Sequence, residues 1–289
     1  MNPTEPTLRP LELRSLTSPL GIQFWDAGAS RTGPSGVQVT ATAPNGHVTT
    51  AVENRSGVYV FLRLPGVREE PLGNDDDYFA NPPAPVIFTI DVSDPQGRFL
   101  PARFSAACPV AGLFSLAGIP LEYPSRQLPL FSTPWRTPPS GFAVIRAELH
   151  DLVADQPAAW AILEIVNSAS PLSVIARGLT DEQGRVCLFF PYPEINDTIV
   201  ESLPHAVRRL TDESWTLDIA LRYEPGAAPA EPGSPPRLDL LFAQRHGTAL
   251  AAESPPVPLA ALTLLYGQDL VLKSTGSPPP SVLFAQPFV

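Results

Sequence analysis

The feature that most constrains this chain is its proline content: 37 prolines in 289 residues, more than twice the roughly 5% usual in proteins. Each interior proline removes a backbone N–H and drives its ring into the preceding turn, so long helices are excluded. Apolar residues make up 44% of the chain and charged residues 17%, enough apolar side chain to build cores. Short strands, ordered loops and extended linkers are what such a sequence can form.

The strand signals follow. Gly21 to Trp25 is apolar, and Val37 to Ala41 alternates apolar with polar residues, the period of a half-buried strand. Pro44-Asn45-Gly46 is a turn, because Asn-Gly accepts positive φ. Val48 to Val52, Val58 to Leu64, Val86 to Val92 and Arg98 to Phe104 read as further strands, with Asp94 to Gly97 as a turn. In the second half, Phe142 to Leu149, Trp160 to Val166, Arg185 to Phe190 and Trp215 to Tyr223 are predicted strands, and residues 197–210 a possible short helix. Arg237 to Ala243, Leu259 to Tyr266, Asp269 to Lys273 and Val282 to Phe284 complete the set. These last strands are too few for an independent sheet pair, so they complete the second half or reach a neighbour.

The two halves are variations on one pattern. Residues 51–66 align with 178–193, placing Asn54 on Asp181, Gly57 on Gly184, Tyr59 on Val186 and Phe61 on Leu188. Phe88 to Val92 aligns with Trp215 to Ile219 at the same offset of 127, since 184 − 57 = 127 and 215 − 88 = 127. An Asn or Asp side chain accepts from backbone N–H groups ahead of it and the glycine closes the turn, delivering the next strand to the core. Val58, Val60 and Leu62 are expected inward in the first copy, and Val186, Leu188 and Phe190 in the second.

The resulting expectation is an all-β chain. Its domains are an N-terminal arm (1–19), a first β-sandwich (20–119), a proline-rich linker (120–140), a second β-sandwich (141–224), and a linker with C-terminal strands (225–289).

Function is far less marked. Net charge is −10 and Lys273 is the sole lysine, so no basic stripe offers itself to nucleic acid or to an anionic membrane. No apolar run approaches the roughly 18 residues of a membrane span, and the first residues lack a signal peptide's basic start and apolar run; cytoplasmic synthesis is expected. Cys108 and Cys187 sit in apolar contexts as buried thiols, with a disulfide between them the alternative.

His47, His150, His205 and His246 are scattered without metal-pair spacing. His150-Asp151 would need a serine for hydrolysis, but Gly112 to Gly118 around Ser115 lacks the nucleophile-elbow spacing. Asp75-Asp76-Asp77 reads as a solvated acidic loop rather than a calcium site. No catalytic residue, metal ligand or cofactor site is expected. Trp25, Trp160 and Trp215 fall in strand patterns and read as core. Trp135, between Pro134 and Arg136, is a candidate partner contact, as are Val282, Leu283, Phe284 and Phe288 of the tail, which offers a strand to an exposed sheet edge.

Two resemblances bear on this. Gly57-Val-Tyr-Val-Phe, followed by Leu64-Pro65-Gly66, resembles the transthyretin-like, carboxypeptidase-regulatory-like β-sandwich, an Ig-like fold, over about 15 residues per copy; the second copy departs from it at Phe190 to Pro193. Pro19 to Asp26, Arg55 to Tyr59, Asp75 to Phe79, Gly97 to Pro101, Trp160 to Glu164 and Tyr266 to Leu272 together resemble proteins of phage-tail-like contractile injection systems. That second likeness implies a non-enzymatic cap subunit, or alternatively a baseplate component, in a released or membrane-associated particle. Its partners would be tube, sheath or cap proteins, and it would form a ring of identical subunits. A carbohydrate-binding or adhesion sandwich, using Trp135 and the loop at 75–77, is the rival expectation.

Overall fold

The computed structural model describes residues 20–27, 33–67, 84–108, 127–167, 170–193, 210–229, 231, 233–252, 255–275 and 281–288. The expected arm at 1–19, the acidic loop at 75–77, Ser115, His205 and nearly all of the possible helix at 197–210 lie outside these residues.

Among the described residues regular structure is almost all strand, in keeping with prolines that exclude long helices. The first half holds β1 (Leu20–Asp26), β2 (Gln38–Thr42), β3 (Val48–Thr50), β4 (Val52–Glu53), β5 (Val58–Phe61), β6 (Val86–Ser93), β7 (Ala102–Cys108) and β8 (Leu128–Leu130). They form two four-stranded sheets, β4-β5-β1-β8 and β3-β2-β6-β7. Every pair is antiparallel except β1 with β8, which run parallel. Alternate residues of both sheets point into one apolar core: Leu20, Ile22 and Phe24 from β1, Val39 and Ala41 from β2, Phe88, Ile90 and Val92 from β6, Phe104 and Ala106 from β7.

Within the segment expected as a linker, Leu128–Leu130 is therefore an edge strand, buried along its length. Pro129 is tolerated there because an edge strand leaves one side without ladder partners. Residues 98–100, expected in a strand with 102–104, instead bond to the segment after β8: Leu100 N–H donates to Phe131 O at 2.8 Å and Thr133 N–H to Arg98 O at 2.9 Å. Pro101 separates the two stretches.

The second half holds β9 (Phe142–Asp151), β10 (Gln156–Pro157), β11 (Ile162–Asn167), β12 (Ser170–Leu179), β13 (Arg185–Pro191), β14 (Ser214–Arg222), helix α1 (Leu238–Ala243), β15 (His246–Ala252), β16 (Val257–Pro258), β17 (Leu262–Leu265), β18 (Leu270–Leu272) and β19 (Leu283–Gln286). Seven of its strands repeat the pairing of the first half in the same chain order. β13 pairs with β9 as β5 does with β1. β11 pairs with β12 and β14 as β2 does with β3 and β6. β17 lies on β14 as β7 lies on β6, and β18 runs parallel to β9 as β8 runs parallel to β1.

The second half then adds pairings with no counterpart among the described residues of the first. β15 pairs with β14, β19 pairs with β15, and β19 pairs parallel with β9, so one continuous sheet results. Its core gathers Ile145 and Leu149, Leu163 and Ile165, Leu188 and Phe190, Leu217 and Leu221, and Leu264, Leu272 and Leu283.

Two expectations need correction. In the first copy Tyr59 and Phe61 point inward while Leu62 is exposed, not Val58, Val60 and Leu62. The alignment demands this phase, because Tyr59 falls on Val186 and Phe61 on Leu188. Tyr59 can be buried because its hydroxyl is satisfied, donating to Pro34 O at 2.8 Å and accepting from Val37 N–H at 3.1 Å. Second, Leu238–Ala243 is a helix, not a strand. Leu and Ala are strong helix formers, and Leu238 and Leu241, three apart on one face, are both buried in the first half's core.

Three turns share one chemistry. Asn54 Oδ1 accepts from the N–H groups of Ser56 and Val58. Asp94 accepts from Gln96 and Arg98, and Asp181 from Gln183 and Arg185. The glycine three residues on has φ of +71°, +66° and +76° respectively. At Gly184 an added Cβ would lie 2.3 Å from Leu149 O, whereas at Gly46, another positive-φ glycine, it would meet nothing within 4 Å. Gly184→Ala is therefore expected to destabilise well beyond the roughly 1–2 kcal/mol of a left-handed alanine, and Gly46→Ala by about that amount alone; urea denaturation of the two variants measures the gap.

Burial works against the charge of Asp94, but hydrogen bonds from the Arg98 side chain and from backbone N–H groups prevail and hold its carboxyl below the usual range. A carboxyl lowered on folding contributes stability that is complete above its unfolded value and lost as pH falls through the folded one. Stability is thus expected to fall on acidification below about pH 4. Asp94→Asn, which keeps the turn as Asn54 does, should flatten that part of a stability-versus-pH curve.

Candidate functional site

The most organised polar cluster joins the two halves. On β1 the inward phase runs Leu20, Ile22, Phe24, then Asp26, which is only 5% exposed. A carboxylate at a core position must be paired, and Arg136 pairs it in fork geometry: Nη1 donates to Oδ1 at 2.8 Å and Nη2 to Oδ2 at 2.7 Å. Nη1 also reaches Ser132 Oγ at 3.0 Å. The guanidinium carbon lies 4.5 Å from the ring centre of Phe99, in the first half, and 4.9 Å from that of Phe189, on β13 of the second. One cation is thus held by an anion and two aromatic rings drawn from both halves.

Neighbouring bonds fix the same segment. Thr133 Oγ1 donates to Gly97 O at 2.8 Å, and Arg146 of β9 donates through Nη1 to Pro134 O at 2.8 Å. Trp135 donates its indole N–H to Gly97 O at 3.2 Å while its ring stays 63% exposed, with Arg185 5.9 Å from its centre. Proline-rich as it is, residues 131–136 are an ordered strap.

Apolar contact reinforces the strap. Trp160, Ile162 and Leu179 belong to the second half yet are buried in the first half's core with Leu238 and Leu241 of α1. Trp160 has φ of +61°, a left-handed conformation costly for a bulky residue. Gln244 holds it there, donating to Trp160 O at 2.9 Å and accepting from Glu224 N–H. On the same outer face of β11 and β12, buried Glu164 accepts from Arg177 Nε at 2.6 Å and from Arg222 Nε at 3.3 Å. Arg177, Trp25, Phe131, Cys187 and Phe189 line a small crevice at the joint.

The residues singled out in the sequence are dispersed. His150 meets Asp155 at 3.0 Å and stands edge-on to Phe284, while its neighbour Asp151 is wholly buried, accepting from Tyr223 OH at 2.9 Å and from Val153 and Ala154 N–H. Burial, then that hydrogen bond, pushes the Tyr223 hydroxyl up. His47 and His246 are exposed. Among the described residues no group of three His, Cys, Asp or Glu is placed to hold a metal. Cys108 and Cys187 are buried free thiols, each pushed up by burial, Cys108 to about 11.

Of the tryptophans expected in the core, Trp160 is buried there, while Trp25 and Trp215 are half-buried. Leu283 is buried in the chain's own sheet and Phe284 and Val282 are half-buried, whereas Phe288 is exposed, with Arg245 5.0 Å from its ring centre. Sequence reasoning passed over Arg136 and Asp26. The signal was the charged Asp26 at an inward position of an otherwise apolar strand.

No family model matches the chain, and neither does any curated protein. Solved structures to which it is similar are pilins of Gram-positive bacteria. The shaft pilin SpaA of Lactobacillus rhamnosus GG is 9% identical, with 93% of this chain and 96% of that chain covered and a TM-score of 0.23. The minor pilin GBS52 of Streptococcus agalactiae is 8% identical, with 93% and 96% covered and a TM-score of 0.23. A streptococcal ancillary pilin is 9% identical, with 93% and 68% covered and a TM-score of 0.24. Likeness at this level carries no conclusion about function.

These matches offer the expected identity no support. They are pilus subunits, not parts of a contractile injection particle, so the cap or baseplate assignment, with its tube, sheath and cap partners, is withdrawn. The carbohydrate-binding alternative finds no support there either.

Because Asp26 is buried beside Arg136, removing the cation leaves an uncompensated charge. Arg136→Ala is expected to cost about 3–5 kcal/mol. Asp26→Asn combined with Arg136→Ala should cost clearly less than the two single changes added together, the sign of direct coupling; a double-mutant cycle by chemical denaturation measures it.

Proposed function

We propose that this chain is a non-enzymatic structural subunit, built of two tandem transthyretin-like β-sandwich modules held at a fixed mutual orientation. The carrying observation is the joint: Arg136 bonded to Asp26 of the first half and set over the rings of both Phe99 and Phe189. Two modules joined by a loose linker adjust to whatever they meet. Two modules clamped by a directional ion pair, a shared tryptophan and a helix from the C-terminal part act as one piece, which suits a part that transmits geometry.

The repeated order of strand pairing supports the tandem reading, since the same seven strands recur in both halves. The side-chain chemistry supports the structural one. The buried acids Asp151, Asp181 and Glu164 all accept hydrogen bonds from backbone N–H, tyrosine or arginine donors, which commits them to holding turns and strands. The reading rests on this geometry and not on the pilin matches.

Cooperativity tests it. The native chain is expected to unfold by heat in one calorimetric transition, and Arg136→Ala to split it into two. Two separate transitions in the native chain would refute the fixed joint.

A further inference from the structure

We infer that the outer edge of β3 is a contact surface between copies of this chain: β3 of one copy pairs antiparallel with β3 of a second and joins their sheets. β3 stands at the end of the sheet β3-β2-β6-β7, and among the described residues nothing pairs with its outer side. Its ladder sets Thr40 against Thr50, Ala41 against Thr49 and Thr42 against Val48, without a bulge. Ala43 N–H donates to His47 O and Ala51 N–H to Val39 O, both at 2.9 Å. Backbone direction alternates along a strand, so the groups of Thr49 also face β2, while the N–H and C=O of Val48 and Thr50 face away. A row of such groups is a template for another strand.

This edge lacks the devices that close one. Native edges are blunted by charge, proline or bulges. Elsewhere in this chain edge strands carry proline: Pro129 in β8, Pro157 in β10 and Pro258 in β16. Between Asn45 and Leu64 there is none, in a chain with 37. Between Gly33 and Val52 there is no Asp, Glu, Lys or Arg either. Val48 is 55% exposed and Val52 54%. At the repeat's offset, the equivalent run of the second half is Ile175 to Leu179. There Arg177 takes the place of Thr50 and pairs with Glu164, while Leu179 takes the place of Val52 and is buried in the first half's core. One copy of the strand is charged and covered, and the other is neither.

A second copy of the chain is the occupant this edge fits. The net charge of −10 sets copies against one another, and an uncharged hairpin is where they approach without like charges meeting. A two-fold axis through Thr49 sets Val48 opposite Thr50 of the second copy, and Thr50 opposite its Val48. Each of these pairs exchanges two backbone hydrogen bonds. Thr49 then meets its own counterpart at a non-hydrogen-bonded position, where Cα atoms stand about 4.5 Å apart. On the outer face the row Thr42-Val48 continues into Thr50-Thr40 of the second copy, a pairing of β-branched residues that stabilises a sheet. β3 is short, so the contact is weak and forms at high concentration. The inference names a partner for the structural subunit proposed above and rests on that reading.

The test uses the full chain. Thr49→Cys is concentrated and oxidised, and a disulfide-linked dimer is expected because the axis brings the two thiols within bonding range. The native Cys108 and Cys187 are buried. Val257→Cys, at an exposed position of the second half, gives the collision background. A Thr49→Cys dimer no more abundant than that background overturns the inference. Sedimentation equilibrium reads the same contact without a new thiol. The native chain is expected to associate as concentration rises, and Val48→Lys, which puts a charge on the edge, to stay monomeric with an unchanged melting temperature. A native chain that stays monomeric, or association that Val48→Lys leaves intact, overturns it. Either failure beside a single calorimetric transition removes this contact and leaves the fixed joint standing, whereas two transitions in the native chain remove the joint.

Discussion

The arrangement depends on one ion pair in an unusual place. β1 begins as an apolar core strand and ends on a carboxylate, Asp26, still in the inward phase. A buried carboxylate without a partner is far too costly to retain, so this strand is stable only where something brings a cation to its end. Arg136 does so from 110 residues away in sequence. Everything between must be placed for it: β8 must lie parallel to β1, Phe131 must bond back to Leu100, and Thr133 must bond to Gly97 and Arg98. Phe189 can then meet the guanidinium only if the second half sits where it does.

The two halves show what the repeated pattern keeps and what it releases. The order of strand pairing is kept, and so is the turn that feeds the central strand, with Asn54 in one copy and Asp181 in the other. Released are the outer faces. On β13 the inward residues Val186, Leu188 and Phe190 serve the second core, while Cys187 and Phe189 between them are buried on the opposite face. In the first copy the corresponding outward residues are Val60, which is half-buried, and Leu62, which is exposed. A strand buried on both faces loses period-two alternation and becomes a continuous apolar run, as Val186 to Phe190 is.

That contrast explains what was legible. All-β structure followed from the prolines, and most strands from alternation between turns. The offset of 127 correctly aligned Gly57 with Gly184, and also carried the true inward phase of β5, which its apolar run obscured. Leu128–Leu130 was hidden because three residues around a proline resemble a linker; burial and parallel pairing with β1 make it a strand. β12 and β15 were missed since Ser170 to Leu179 and His246 to Ala252 mix polar and small residues, with little alternation to read. Of the joint only one hint was legible, the charged Asp26 at an inward position of β1. The elements of the joint, Asp26, Phe99, Arg136 and Phe189, are ordinary residues in separate segments, and only the fold brings them together.

The chemistry of the joint also bears on why it is polar at all. Apolar faces alone would hold the halves together, and Trp160, Ile162 and Leu179 contribute that contact. Hydrophobic contact is non-directional, so apolar faces can slide over one another at small cost. A guanidinium fixes its carboxylate in its own plane and its aromatic neighbours above and below it. Asp26 in the plane and Phe99 and Phe189 against it thus define a mutual orientation that sliding would break. A buried pair of this kind adds little net stability compared with a well-packed apolar substitute. What it supplies is a single arrangement of the two halves.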